Sequence, residues 1–228
     1  MQIEIVGRTT VNWSVLNTYM EDDEDAEPME MLVEFSGRSC YQSFSKPNPK
    51  TAKNANYIAN IREQAHESVF EHASVSFYVQ GTSRNMLLEL ERHRHLSFSV
   101  VSQRFVDGKS MGFVYPPALR KYLEDHNEVD DAIVRAHLAA NDAYEAIEGA
   151  LSDLPKKQRR EAARAVLAGG TETKFVVTGN LRAWRDVLKK RYSMHADAEI
   201  RQFATGVLKL LREEAPAVFA DFPPEPFE

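Results

Sequence analysis

The chain has 228 residues, of which 43% are hydrophobic and 27% charged, with a formal net charge of −6 and a single cysteine. That length permits one large domain with its own core, and the acid excess argues against a general nucleic-acid or anionic-membrane surface. A lone thiol excludes an intrachain disulfide, and no apolar run approaches a membrane span or a basic-then-apolar leader, so a reducing cytoplasm is the expected location.

In chain order, residues 2–8 alternate and read as a short strand, with a helix possible over 13–20 and a solvated acidic loop over 21–27. Residues 29–40 read as a helix. Lys46-Pro47-Asn48-Pro49 marks a turn, and Thr51 is a credible N-cap for a helix reaching Glu67, with Ala55, Ile58, Ile61 and Ala65 as its stripe. From 72 to 80, Ala73, Val75, Phe77 and Val79 alternate with Ser74, Ser76 and Tyr78, the pattern of a half-buried strand. A short amphipathic helix over 84–90 presents Met86, Leu87 and Leu90. Phe105 and residues 111–115 indicate another short strand, and Pro116-Pro117 opens a helical region through Tyr122. A long helix over 129–151 carries Ile133, Ala136, Ala140, Tyr144 and Ile147 as its apolar face, and a helix over 156–167 carries Arg164. Residues 171–178 are β-rich and closed by Gly179. Helices follow from Asn180 and over 197–214, the latter with Ile200, Phe203, Val207 and Leu211 in register. The expectation is a single α+β domain over 1–228, a mixed or antiparallel central sheet flanked by helices, some of them long. Its proline-rich acidic tail, 216–228, is expected to order at least in part against a neighbour.

Chemistry concentrates in residues 91–104, where three arginines, two histidines and three serines fall within fourteen positions. Guanidinium forks and short hydroxyl donors suit phosphate and carboxylate, so the segment reads as an anion site. Residues two apart on a helix point about 200° away from each other. Either the helix ends here, or Arg92 and Arg94 serve different ligands. The plainer alternative is a solvated basic helix end in which Glu89 and Glu91 pair with Arg92 and Arg94. A second feature lies on the helix from Asn180. Leu181, Trp184 and Leu188 form its stripe, Arg182, Asp186 and Lys189 lie opposite, and Arg191 falls in the apolar sector between Trp184 and Val187. Arg191 is then either an arginine snorkelling from a helix end or a buried guanidinium facing an anion. Cys40 lies outside every donor-rich block and reads as a small buried hydrophobe. His66, Glu71 and His72 fit no common zinc spacing, so no metal site is expected. No glycine-rich dinucleotide fingerprint of the Rossmann type occurs.

Arg92-His93-Arg94, seven residues, then Ser102 resembles the signature of the flavin-dependent thymidylate synthases. The similarity extends to His66-Glu67-Ser68-Val69-Phe70-Glu71-His72 and to Thr178-Gly179-Asn180-Leu181-Arg182-Ala183-Trp184-Arg185, covering roughly residues 30 to 220. The resemblance implies reductive methylation of dUMP to dTMP, with methylenetetrahydrofolate as one-carbon donor, FAD as hydride carrier and NADPH as reductant. It implies that Arg191 contacts the pyrimidine, helps ionise N3 and replaces a cysteine nucleophile. For dUMP it implies contacts at Glu89, Leu90, Glu91 and Arg92 from one subunit and at Val100, Val101, Ser102, Gln103, Arg104, Arg164 and Arg191 from another, hence a homotetramer with intersubunit sites. For FAD it implies Ser68, Arg92, His93, Arg94, Val100, Asn180, Leu181, Arg182 and Asp186, with His66 lining the flavin pocket and Glu71 and His72 fixing local structure. The chain departs from the family pattern at Val100, often Glu or Gln, at Asp186, often His or Asn, and at Leu167-Ala168-Gly169, more often Leu-Pro. Readings of other classes are a non-catalytic flavin- or nucleotide-binding regulatory module and an RNA-binding protein using the basic stretch. The acidic charge and the few nearby aromatics, Phe98 and Phe105, disfavour the RNA reading.

Overall fold

A computed structural model describes residues 1–45 and 48–228, so the Lys46-Pro47 part of the expected turn lies outside the described residues. Strands β1 (Gln2–Arg8), β2 (Ser74–Ser83), β3 (Ser97–Val100) and β4 (Glu172–Asn180) form one antiparallel sheet in the order β1-β2-β4-β3. Register places Val75, Phe77 and Val79 opposite Gly179, Val177 and Phe175, so the apolar sets of both central strands share one buried face. Ser76 and Thr178 meet on the other, half-exposed face through a 2.7 Å hydrogen bond. Gly81, with φ +69°, sits where the β2–β4 register breaks, a backbone conformation that a side chain would strain.

Nine α-helices occur among the described residues: α1 (Trp13–Leu16), α2 (Pro28–Tyr41), α3 (Asn54–Glu63), α4 (Arg84–Leu90), α5 (Pro117–Arg120), α6 (Asn127–Ala150), α7 (Lys156–Ala163), α8 (Leu181–Arg191) and α9 (Ala198–Glu214). Apolar residues of α2, α3, α4, α8 and α9 join the buried sheet face in one core, with Ile58, Phe70, Phe77, Trp184, Phe203 and Leu211 each fully enclosed.

Several expectations are corrected. Thr51 does not cap α3; it closes a 3₁₀ turn, Pro49–Thr51. The N–H of Asn54 is instead taken by Asp23 at 3.0 Å, which also accepts from Lys53 at 3.2 Å, so the acidic run is tethered by a long-range cap. Neither α1 nor α3 runs as far as its periodicity allows, and Glu67–His72 forms a separate 3₁₀ segment. The strand expected over 111–115 reduces to one bridge, Phe113 with Thr171. Helix α7 ends at Ala163, and Arg164 opens a 3₁₀ turn. Cys40 is exposed, its Sγ donating to Ser36 O at 3.4 Å, because it falls on the outer side of α2. The tail is ordered by its own chain: Val218 and Phe219 are fully buried, Phe227 bridges to Ser193, and the Tyr192 hydroxyl donates to Pro224 O at 2.6 Å. The long helix α6 buries only Tyr144, leaves Ala136 and Leu138 exposed, and packs chiefly on α7.

Candidate active site

Helix α8 starts where β4 stops. Asn180 ends the strand and caps the helix, its Oδ1 accepting from Ala183 N at 2.8 Å. Leu181, Trp184, Val187 and Leu188 bury the inner face; Trp184 donates to Val75 O at 3.2 Å and meets Phe77 edge-on at 5.0 Å. With its N-terminus fixed by a cap and its body by an indole, α8 delivers Lys189, Lys190 and Arg191 in its last turn, where the helix dipole favours cations.

Facing that last turn is the segment after α4, and the helix does end there. His93 N returns to Leu90 O at 3.0 Å, Leu96 N to His93 O at 3.2 Å, and β3 follows. Arg92 and Arg94 therefore emerge on either side of His93, which is 8% exposed. This turn lies against α8 because Gly179 has no side chain: a Cβ there would stand 2.6 Å from Leu96 Cδ2 and 3.1 Å from Trp184 Nε1. The strand β3 was not expected from the sequence, since its four residues alternate too briefly to stand out within a donor-rich run.

Arg191 is neither snorkelling nor loosely placed. Its side chain is 19% exposed, and its Nε donates to His93 Nε2 at 3.0 Å. One terminal nitrogen donates to Glu89 Oε2 at 3.1 Å and the other to Glu89 O at 3.3 Å. Two of a guanidinium's five N–H donors remain. Burial lowers the pKa of His93, the Arg191 charge adds to that, and Asp186, whose Oδ2 is 3.7 Å from Nδ1, works against both. Burial opposes ionisation of Asp186, but Lys190, at 2.7 Å, and His93 outweigh it and hold the carboxyl below its usual range. Arg92, His93, Arg94, His95, Asp186, Lys190 and Arg191 enclose an open cleft of about 370 Å³.

The fold thus gathers Glu89, Arg92, His93, Arg94, Asp186 and Arg191. Leu90 and Glu91 lie in the same turn between Glu89 and Arg92, and the remaining expected residues stand elsewhere. Val101 N bonds Lys174 O at 2.9 Å and Ser102 opens a turn to Val106; Arg104 pairs with Glu161 of α7 at 3.2 Å, and Arg164 follows that helix, exposed. Gln103 is 5% exposed, yet its Nε2 has no partner. A buried amide donor without an acceptor is costly, so this atom fits a bound group with acceptor oxygens or carbonyls. At the opposite end of α8, Ser68 is exposed on the 3₁₀ segment and Arg182 pairs with Glu71. His66 and His72 are exposed. Leu90 and Leu181 are fully buried core residues, which leaves only their backbones for a ligand.

Sequence reasoning overlooked Arg185, 2% exposed, which grips Asp221 with two bonds of 2.7 Å, donates to Val218 O and lies 5.6 and 5.3 Å from the rings of Phe70 and Phe222. A signal was available: it stands one turn after Leu181, inside the apolar sector of α8. His95 and Lys190 at the cleft, and Arg160, which binds Phe105 O and Asp107, were also missed.

An α+β domain with a cationic cleft, a partly committed guanidinium and a buried imidazole has the donor chemistry of an anion site. Comparison with known proteins narrows the class. The family described as thymidylate synthase complementing protein (Thy1) matches residues 23–217. The chain is 45% identical over 233 residues to a probable flavin-dependent thymidylate synthase of Mycobacterium phage D29, covering 100% of this chain and 98% of that one. It is 50% identical over 216 residues to the corresponding protein of Mycobacterium phage L5, covering 91% and 88%. To the flavin-dependent thymidylate synthase of Mycobacterium tuberculosis (strain ATCC 25618 / H37Rv) it is 49% identical over 203 residues, covering 87% and 81%. The chain belongs to the flavin-dependent thymidylate synthase family and is an enzyme of that type. Among the described residues no helix is long and apolar enough to cross a membrane.

Proposed function

We propose that the chain converts dUMP to dTMP in the cytoplasm, taking its one-carbon unit from methylenetetrahydrofolate and its reducing power from NADPH, with FAD as resident cofactor and Arg191 in place of a cysteine nucleophile. The observation that carries this is the Arg191 guanidinium, fixed by Glu89 and His93 at the edge of a cationic cleft with N–H donors to spare. Negative charge developing on N3 and O4 of a uracil ring is conjugated to C5, so a guanidinium held at that edge stabilises the ring as a carbon nucleophile. Cys40 lies on α2 and does not line the cleft, in keeping with chemistry that uses no thiol.

FAD, when bound, supplies the hydride that completes the methyl group. The residues that would hold it are Arg92, His93, Arg94 and Asp186 at one end of α8 and Ser68, Asn180, Leu181 and Arg182 at the other, with Val100. Arginines and a capped helix start thus replace a glycine-rich loop. Glu89, Leu90, Glu91 and Arg92 would line the dUMP pocket, with Val100, Val101, Ser102 and Gln103 completing it and Arg104 and Arg164 taking the phosphate as bidentate forks. The proposed assembly is a homotetramer whose copies complete each other's sites; within one chain Glu89 pairs with Arg191 while Arg104 and Arg164 lie outside the cleft, a division of residues different from the one the resemblance implies. The half-covered face of α6 supports the same assembly.

The test incubates FAD-loaded protein with dUMP, methylenetetrahydrofolate and NADPH and follows dTMP and tetrahydrofolate. Formation of both is expected. A folded, yellow protein that makes no dTMP overturns the proposal.

A further inference from the structure

We propose that Asp186 is a positioning residue for Arg191, acting through His93, whose imidazole it holds with the proton on Nδ1 so that Nε2 stays free to accept from the guanidinium. The inference rests on the proposed role of Arg191 and adds to it the device that keeps that side chain in place.

The direction of the chain of contacts follows from donor chemistry. Arginine Nε can only donate, so His93 Nε2, at 3.0 Å, must accept, and the ring is neutral with its hydrogen on Nδ1. Nδ1 lies 3.7 Å from Asp186 Oδ2, longer than a hydrogen bond but close enough for a carboxylate to orient the ring dipole. Asp186 and Arg191 stand on one helix with His93 between them from the opposing turn, so the relay clamps the turn to α8 as it fixes Arg191. Without the imidazole acceptor, Arg191 hangs from Glu89 alone and its free N–H donors lose their aim.

An imidazolium would offer Arg191 no lone pair and would add a like charge. The charged groups around His93 are Asp186, Lys190 and Arg191 on α8 and Arg92, Arg94 and His95 on its own turn, with Glu89 of α4 reached through Arg191. Asp186 raises the proton affinity of His93 while burial and Arg191 lower it, and burial is the largest of these effects. Removing the Asp186 charge therefore keeps His93 neutral to lower pH.

The experiment combines nitrogen NMR of the FAD-loaded protein labelled at histidine with steady-state kinetics at saturating FAD and dUMP; His93→Gln assigns the signals. Wild type is expected to show His93 protonated on Nδ1. Asp186→Asn keeps an acceptor for that proton, so it should retain the tautomer while the acid limb of the kcat profile moves down by about half a pH unit. Asp186→Leu removes the acceptor. It should mix the tautomers and lower kcat roughly tenfold or more, with a smaller change in KM for dUMP. A wild-type His93 protonated on Nε2, or an Asp186→Leu protein with unchanged tautomer and kcat, overturns the inference. Arg191→Lys with normal turnover would instead overturn the role of Arg191, and the wild-type tautomer would still decide the link from Asp186 to His93.

Discussion

Arg191 and Arg185 stand six residues apart on one helix, and each depends on groups far away in sequence. Arg191→Lys keeps the charge but cannot reproduce a fork held at three points, so turnover at saturating substrate should fall by about a hundredfold or more while the thermal midpoint changes little. Steady-state assay beside a melting curve checks both. Glu30 presents a separate titration. It is 2% exposed, its Oε1 accepts from Ala217 N at 2.6 Å and Val218 N at 3.2 Å, and burial outweighs these donors to push its pKa from 4.5 up to about 7. Between those values the folded state keeps a proton that the unfolded chain has released, so this group's contribution to stability falls as pH rises through the window. Asp221, held at about 2 against the pull of burial by its hydrogen bonds and ion pair with Arg185 and by Arg62, acts oppositely: its contribution is present above 3.8 and is lost only in stronger acid. The melting temperature of wild type should therefore decline more steeply from about pH 5 to about pH 8 than that of Glu30→Gln. Equal slopes would remove Glu30 as the cause.

At the scale of elements, α8 is the beam that joins the parts of the site. Its stripe was legible because Leu181, Trp184 and Leu188 recur at helical spacing, and Asn180 is a cap by chemistry alone. Its attachment to the tail was not legible, because the Arg185–Asp221 pair spans 36 residues and no local pattern marks it. Removing the guanidinium in Arg185→Ala leaves the Val218 carbonyl unpaired and Asp221 with Arg62 alone, and should cost about 1–3 kcal/mol by urea denaturation. Arg185→Lys should recover only part of this, since one ammonium cannot span both carboxylate oxygens. A loss of under about 1 kcal/mol in the alanine variant would show that the tail is held by its phenylalanines instead. The alternation of β2 was equally readable, whereas β3 was hidden by its brevity, and the cap of α3 by its distance from Asp23.

For the whole molecule, α6 poses the clearest question. Its expected face exists, yet Ile133, Ala140 and Ile147 are only half covered, while Val134 is 43% and Leu138 55% exposed. With the proposed tetramer, wild type should sediment near four times the 25.9 kDa chain, and Leu138→Asp should shift the population to smaller species and lower activity with it. A monomeric wild type with full activity would contradict the assembly. By itself the sequence determined the α+β class, the two central strands, the helical stripes and the basic signature, because each rests on local periodicity or on the chemistry of adjacent residues. Only the tertiary structure decided that Arg191 closes on His93 and Glu89, that Gln103 is left with an unused donor, that Cys40 faces outward and that the tail folds back on Arg185. Those outcomes depend on which distant side chains share a buried volume, a quantity that no run of neighbouring residues encodes.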